Sequence, residues 1–450
     1  MNHAFITLLI LLSFNNYAKV SALFHPYQDT FSAITERFAQ ADSQIDMALY
    51  NIDASANNPI IAFFATDSVQ ARIKSGDLKV RLVFEGYEKK DKNFIKMEKL
   101  ESLGIDVKYL GSSKKMHHKF AIVDGYKGNN DAFLITGSAN WSMSSLRNYN
   151  ENILFFDHEQ KIASSYQKQF DLLWELSKEI GIKRTYEKSV SFRSLTSEVS
   201  IAHFNTENFE VRNNRLYKSR KEQGFVLTKK IAAAIDKAES HIKIATTRFK
   251  LRPIYDAIKR AAKRGVKVDI VVTMGEYEYK YMRKKMKEQK CADIFNKKCS
   301  TSKNFSILLS REDFIGSELV DVRIKFFNVS LAAYLSKQMH SKYMIVDDKK
   351  VLTGSFNWSY SAEFNHIENL IVLEGSDYRS AHESFLADFT YLWNMGRSHY
   401  SGFVKKVAKA AKAKKKINCA FKPMVLTFGE IDKMLSVAKK NKSSLKKVCL

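Results

Sequence analysis

Two histidines, each with a lysine two positions on, open a pattern that this chain writes twice. His117-x-Lys119 is followed by Asp124, and His340-x-Lys342 by Asp347, each aspartate five residues past its lysine. Gly137-Ser138, Asn140 and Glu151 continue the first copy. Gly354-Ser355, Asn357 and Glu368 continue the second, with Asn and Glu eleven residues apart in both. In each copy His and Lys precede an apolar stretch, Phe120 to Val123 or Tyr343 to Val346, so on a strand the two side chains share one face. That face is an anion site. Cleaving a phosphodiester requires a nucleophile, an acid for the leaving oxygen and donors for the charged equatorial oxygens. One copy supplies only one histidine, and two copies supply both roles.

These residues resemble the HKD signature of the phospholipase D superfamily, which includes phospholipases D, cardiolipin synthases and phospholipases, and endonucleases. The resemblance implies two motifs facing each other across a pseudo-two-fold axis, a metal-independent reaction with no cofactor, and a chain that works as a monomer with no obligatory protein partner. It casts His117 as the nucleophile that forms a phosphohistidine and His340 as the general acid and base. Lys119, Lys342, Asn140 and Asn357 would hold the non-bridging oxygens. Glu151 and Glu368 would each hydrogen-bond a histidine Nδ1 so that Nε2 faces phosphorus. Ser138 and Ser355 would add a substrate hydrogen bond, and Asp124 and Asp347 complete the catalytic set, with a strand-terminal turn as their other reading. His118 points to the opposite face from His117 and reads as structural.

The elements that must place these residues repeat as well. Ile34 and Ile45-Asp-Met-Ala-Leu-Tyr50 match Ile231 and Ile242-Lys-Ile-Ala-Thr-Thr247, each reading as a helix that feeds a buried strand. Gly76 and Gly265 stop the next helices ahead of apolar strands. Alternating helices and strands predict two tandem α/β sandwich repeats, each a mixed sheet flanked by helices, over 19–188 and 189–400. The segment Lys183 to Val199 links them. The two copies are offset by 223 residues at His, Lys and Asp but 217 from Gly onward, so the first hairpin, Gly125 to Thr136, is longer by six residues. A charged stretch including Tyr277 to Lys290 is peculiar to the second half and is expected to hold a helix near the site mouth. Over 401–450 a basic tail follows. Phe403 to Lys416 carries seven lysines with Val404, Val407, Ala408 and Ala411 at helical spacing, which suits either a membrane surface or a packed helix. Thr427 and Glu430 form a capping-box start for a last helix.

The formal charge of +25, from 73 Lys and Arg against 48 Asp and Glu, points to a polyanionic partner, an anionic phospholipid membrane or nucleic acid. The apolar run Ala4 to Phe14 has the length of a signal-peptide core and is too short to span a bilayer. It predicts an exported protein, periplasmic or secreted, with residues 1–18 removed, or 1–22 if cleavage follows Ala22. Cys291, Cys299, Cys419 and Cys449 are an even set that allows complete pairing, and they lack the CxxC spacing of a metal site. Phospholipid and nucleic-acid substrates would use the same catalytic residues. Hydrolysis of phospholipid headgroup esters is the first expectation, endonuclease action the alternative, and a non-catalytic phosphate-binding module the third reading.

Overall fold

The computed structural model of the chain describes residues 20–86, 92–110, 114–126, 131–180, 201–212, 215–218, 224–274, 317–326, 338–417, 423–441, 443 and 448. The expected export signal, the Lys183 to Val199 link, the Tyr277 to Lys290 stretch and all four cysteines lie outside them. No described helix is long and apolar enough to cross a membrane.

The first repeat contains β1 (Val20–His25), α1 (Thr30–Ala39), β2 (Gln44–Leu49), β3 (Lys79–Phe84), β4 (Asp106–Tyr109), β5 (Lys119–Val123), β6 (Phe133–Gly137), β7 (Glu151–Asp157), α2 (Gln160–Leu176) and β8 (Lys178–Glu179). The second contains β9 (Ala202–Phe204), α3 (Val226–Asp236), β10 (His241–Thr246), β11 (Lys267–Thr273), β12 (Val320–Phe326), β13 (Lys342–Val346), β14 (Lys350–Gly354), β15 (Asn369–Glu374), α4 (Arg379–Asn394), α5 (Arg397–Lys412), β16 (Met424–Thr427) and α6 (Phe428–Lys440). Each repeat builds one eight-stranded mixed sheet. The strand orders are β1-β7-β6-β5-β2-β3-β4-β8 and β9-β15-β14-β13-β10-β11-β12-β16, the same topology twice. β2, β3 and β4 run parallel, as do β10, β11 and β12, and the remaining pairs are antiparallel. The parallel strands read as near-continuous apolar runs because both of their faces are covered. Gly76 and Gly265 close the preceding helices with φ of 84° and 91°, a left-handed conformation that costs glycine little.

The outer face of each sheet packs on its own helices. Phe38, Ile45 and Leu82 belong to one such core, and Ile231, Ile244 and Val407 to the other. The inner faces share a third core. Phe120, Ile122 and Phe156 from the first sheet meet Tyr343, Ile345 and Ile371 from the second, with Phe170 of α2 and Phe385 of α4 in the same cluster. At about 1.5–3 kcal/mol for each large side chain removed from water, this shared core is what docks the repeats. The repeat also extends into details. Lys108 lies 4.3 Å from the centre of the Trp174 ring, and Arg323 lies 3.7 Å from that of Trp393, at matching positions of the two sheets.

One boundary differs from expectation. The segment after residue 400 is no appended tail. α5 begins at Arg397 and buries Phe403, Val407, Ala410 and Ala411, while β16 pairs with β12 as the last strand of the second sheet. The apolar face that suited a membrane is already used inside the protein, so of its two readings the packed one holds. The registers of the opening strands align the two repeats residue by residue. Phe24 and Phe204 sit opposite Asn152 and Asn369, which equates His25 with Asn205. The capping box at Thr427 and Glu430 is present as expected.

Candidate active site

Each histidine stands just ahead of a central strand, β5 or β13, on a segment whose backbone pairs with the opposite repeat. Lys115–Met116 runs parallel to His366–Ile367, and the His117 amide donates to the Ile367 carbonyl at 3.0 Å. Symmetrically, Asn150 bridges Met339, and the His340 amide donates to the Asn150 carbonyl at 3.0 Å. This exchange brings each histidine to the glutamate of the other repeat. His117 Nδ1 donates to Glu368 Oε2 at 2.9 Å, and His340 Nδ1 donates to Glu151 Oε1. The pairs are crossed, which no spacing within one copy could reveal.

Both lysines are 1 % exposed and turn back on their own motif. Lys119 Nζ donates to the His117 carbonyl at 2.6 Å and Lys342 Nζ to the His340 carbonyl at 2.5 Å. Asn140 and Asn357 follow the ends of β6 and β14, and the amide oxygen of each is buried without a hydrogen-bond partner. Two imidazoles, two ammonium groups and two carboxylates are therefore close enough to act on one another's charge, and two carboxamides follow the neighbouring strands with an unspent oxygen each.

The electrostatics set their protonation. Burial pushes His117 down to about 3, with Glu368 pulling the other way and Lys119 adding to the fall. Burial, then Lys342, lowers His340 as well, against Glu151. Burial alone would raise Glu151, but His340 and His25 hold it at about 2, and His117 likewise keeps Glu368 below the usual carboxylate range. Burial brings Lys119 to about 7 and Lys342 to about 8, each opposed by the glutamates. At neutral pH the resting site thus holds carboxylates that accept Nδ1–H from neutral imidazoles. Each Nε2 then keeps the lone pair that attack on phosphorus or proton uptake needs.

Four expected site residues have other work. The Asp124 carboxylate accepts the backbone amides of Asp42, Ser43 and Gln44, and Asp347 those of Glu239, Ser240 and His241. Each lies past the end of its strand opposite to the histidine, with φ near +50°, and clamps the turn into β2 or β10. They are structural turn residues and not catalytic ones. Ser138 Oγ accepts the Asn152 amide, while Ser355 Oγ donates to Glu368 Oε2 at 2.6 Å and accepts the Asn369 amide. The serines brace the strands and the glutamate. His118, fully buried, lies in hydrogen-bond reach of Gln169 and Asn369, as its opposite-facing position implied.

Several neighbours carry no signal in the repeat. Ser145 Oγ donates to Glu151 Oε2, and His25 Nδ1 lies 3.8 Å from the same oxygen. The Tyr50 ring packs 4.6 Å from that of His117, and Lys119 Nζ is 4.9 Å from its centre. Glu85 accepts the Met116 amide at 2.7 Å. In the second half Thr247 and Thr273 take the places of Tyr50 and Glu85 in the strand registers, so comparing the copies could not single them out.

Comparison with known proteins gives one family over more than half of the chain. The family model described as cardiolipin synthase, PLD-like domain, matches residues 34–174 and 231–393. A mitochondrial cardiolipin hydrolase of Xenopus laevis is 43 % identical over 76 residues, 17 % of this chain and 33 % of that protein. One from Danio rerio is 26 % identical over 160 residues, 35 % of this chain and 63 % of that protein. The chain thus spans less than two thirds of the length of either relative. A phosphatidylserine synthase of Haemophilus influenzae Rd KW20 shares the fold with a TM-score of 0.57 at 11 % identity, over 97 % of both chains.

Proposed function

This chain belongs to the phospholipase D superfamily, and from that premise we propose that it is a phosphodiesterase hydrolysing phospholipid headgroup esters at an anionic membrane. The observation that carries the chemistry is the crossed pair of His–Glu contacts, which sets both imidazoles among the charges of Lys119 and Lys342. His117 Nε2 attacks phosphorus and forms a phosphohistidine while the headgroup oxygen leaves. His340 donates the proton to that oxygen and then takes one from water, which releases the phosphate from His117. A neutral resting His340 suits this order. The bound phosphodiester brings a negative charge that offsets burial and Lys342, so the imidazole holds its proton only when there is a leaving group to receive it. The lysines and carboxamides hold the equatorial oxygens as charge shifts onto them.

The choice of a lipid over a nucleic acid is supported by the family model, described as cardiolipin synthase, and by relatives named cardiolipin hydrolases. Export, read from Ala4 to Phe14, belongs to the same proposal. The test is to incubate the chain in EDTA with cardiolipin, phosphatidylcholine and phosphatidylethanolamine vesicles, and separately with single-stranded RNA and plasmid DNA. Headgroup release without nicking is the expected result. Nicking without headgroup release would make it an endonuclease, and neither would leave a phosphate-binding module. Phosphate label trapped on His117 in a His340→Ala chain tests the nucleophile, and label on His340 in a His117→Ala chain alone would reverse the roles.

A further inference from the structure

The pseudo-symmetry of the site also fails at the ring that stands two residues before each glutamate. His366 stands 217 residues after Tyr149, the offset that relates Glu368 to Glu151. Tyr149 packs 5.9 Å from His340, and His366 packs 5.5 Å from His117. The first is a phenol and the second an imidazole, a side chain that can ligate a metal. His366 Nδ1 and Glu368 Oε1 are both buried without a hydrogen-bond partner and face each other across 3.5 Å. The other oxygen of Glu368 takes His117 Nδ1 at 2.9 Å. The donor atoms of His117, His366 and Glu368 all lie within 4.8 Å of one another, the one such set of three among the described residues.

We propose that His117, His366 and Glu368 form an inhibitory site for Zn2+, able to switch off the first-repeat histidine. Two imidazoles and a carboxylate are a common zinc donor set, and bonds of about 2.0–2.1 Å place the ligands of a tetrahedral ion about 3.3 Å apart. The 2.9 Å and 3.5 Å separations, one to each oxygen of Glu368, lie within a few tenths of an ångström of that value, and the remaining edge, between the two imidazole nitrogens, closes from within 4.8 Å. The supporting shell fits too. Ser355 Oγ donates to Glu368 at 2.6 Å, and Ser361 Oγ lies 3.4 Å from His366 Nε2, which leaves Nδ1 as the nitrogen turned to the metal. Entry is by way of His366, whose side chain is 19 % exposed while Glu368 is fully buried.

The inhibition follows from where the proton goes. In the working tautomer His117 carries its proton on Nδ1, donates it to Glu368 and keeps a lone pair on Nε2. Zn2+ takes the Nδ1 lone pair, and the displaced proton passes through solvent to Nε2. The ring keeps one N–H and its charge, but the nitrogen that faces phosphorus is now a donor and cannot attack. His340 and Glu151 form no such set, because Tyr149 stands at the place of His366, and His25, though 3.8 Å from Glu151, does not complete a set of three within the same reach. Lys119 and Lys342 oppose the ion by their charge, so binding is reversible and weaker than at a structural zinc centre.

The inhibitory consequence rests on the phosphodiesterase reading, whereas metal binding does not. The experiment strips the full chain with EDTA, removes the chelator and follows hydrolysis of bis(p-nitrophenyl) phosphate against added ZnCl2, in the wild type and in His366→Asn. The wild type should lose turnover as Zn2+ rises. His366→Asn should keep its metal-free rate and need at least about tenfold more Zn2+ for half inhibition. Equal sensitivity of the two chains, or an insensitive wild type, overturns the site. Should His366→Asn fail to fold, X-ray absorption of the zinc-loaded wild type decides. Imidazole scattering with a nitrogen and oxygen shell is expected, and a sulfur shell, which the four cysteines could supply, overturns it. If the metal-free chain hydrolyses no phosphodiester yet holds Zn2+ among imidazoles, the hydrolase reading falls and the site stands.

Discussion

Glu368 of the second repeat accepts the Nδ1 proton of His117 of the first, at 2.9 Å, across 251 residues of chain. Glu151 and His340 make the reciprocal contact. Each histidine therefore owes its tautomer to the other repeat, and the two halves form one site even though each carries a complete motif.

Removing an orienting carboxylate should leave binding intact and slow the chemistry. Glu368→Gln is expected to lower kcat by about 100-fold with little change in KM, because in the proposed reaction the substrate is held by the lysines and carboxamides and not by the glutamate. Steady-state kinetics on a soluble phosphodiester measures both. A variant in which KM rises and kcat holds would show that Glu368 contacts substrate.

The histidines should behave as a unit. His117→Ala and His340→Ala are each expected to abolish turnover, and the double variant should be no worse than either single one, since neither step proceeds without both rings. Additive losses measured in single-turnover assays would separate the two residues into independent roles.

Asp347 offers a test that divides structure from catalysis. Although burial pushes its carboxyl up, the amides of His241, Glu239 and Ser240 hold it at about 2. The folded value lies below the unfolded one, so the stabilisation is complete above about pH 4 and is lost as pH falls through about 2. Asp347→Asn keeps a residue type that tolerates φ of 51° and removes the charge. It should cost about 1–2 kcal/mol in urea unfolding at neutral pH, progressively less towards pH 2, with kcat/KM of the folded protein unchanged. A loss of kcat/KM at full stability would return Asp347 to the chemistry.

What the sequence made legible follows from what repeats. The strand that ends in Asp124, the one that ends in Asp347 and the glycines that stop two helices recur at fixed offsets, so periodicity and spacing place them. The crossed glutamates do not show in that way, because their partners are set by docking two inner faces whose contact residues are simply apolar. His366 and Tyr50 escaped for the opposite reason, since the other copy has Tyr149 and Thr247 in their places. The apolar stripe of α5 was visible, but a stripe does not say what covers it. Only β16, adding a last strand beyond β12, shows that the cover is the protein itself.

The lysines should set the alkaline limb of activity. Burial lowers Lys342 to about 8 and Lys119 to about 7, so in the free enzyme the oxygen-holding charges are present below these values and vanish above them. The profile of kcat/KM should fall on the alkaline side from near neutrality, whereas kcat, measured with the anion bound, should fall at higher pH because the phosphodiester favours the charged ammonium. Lys342→Arg, which stays charged, should lose rate through altered geometry yet shift the limb upward. An unchanged limb would assign it to another group.

The basic face of α5 should govern attraction to a polyanion without governing the fold. Cutting the chain before Phe403 would expose the second core and delete β16, so truncation cannot separate charge from stability. Substitution can. Lys405, Lys406, Lys409 and Lys412 are exposed on the helix, away from buried Val407. Changing all four to Gln removes four charges and leaves the apolar face in place. Hydrolysis of a small soluble phosphodiester should stay the same, and the unfolding midpoint should move little. Binding to anionic vesicles should weaken, and its dependence on ionic strength should become shallower, since exposed charges act through a field that salt screens within about 8–10 Å. Vesicle cosedimentation at increasing salt measures the slope. If wild type and variant share one slope, α5 is a packed helix alone and the positive charge that meets the membrane lies elsewhere.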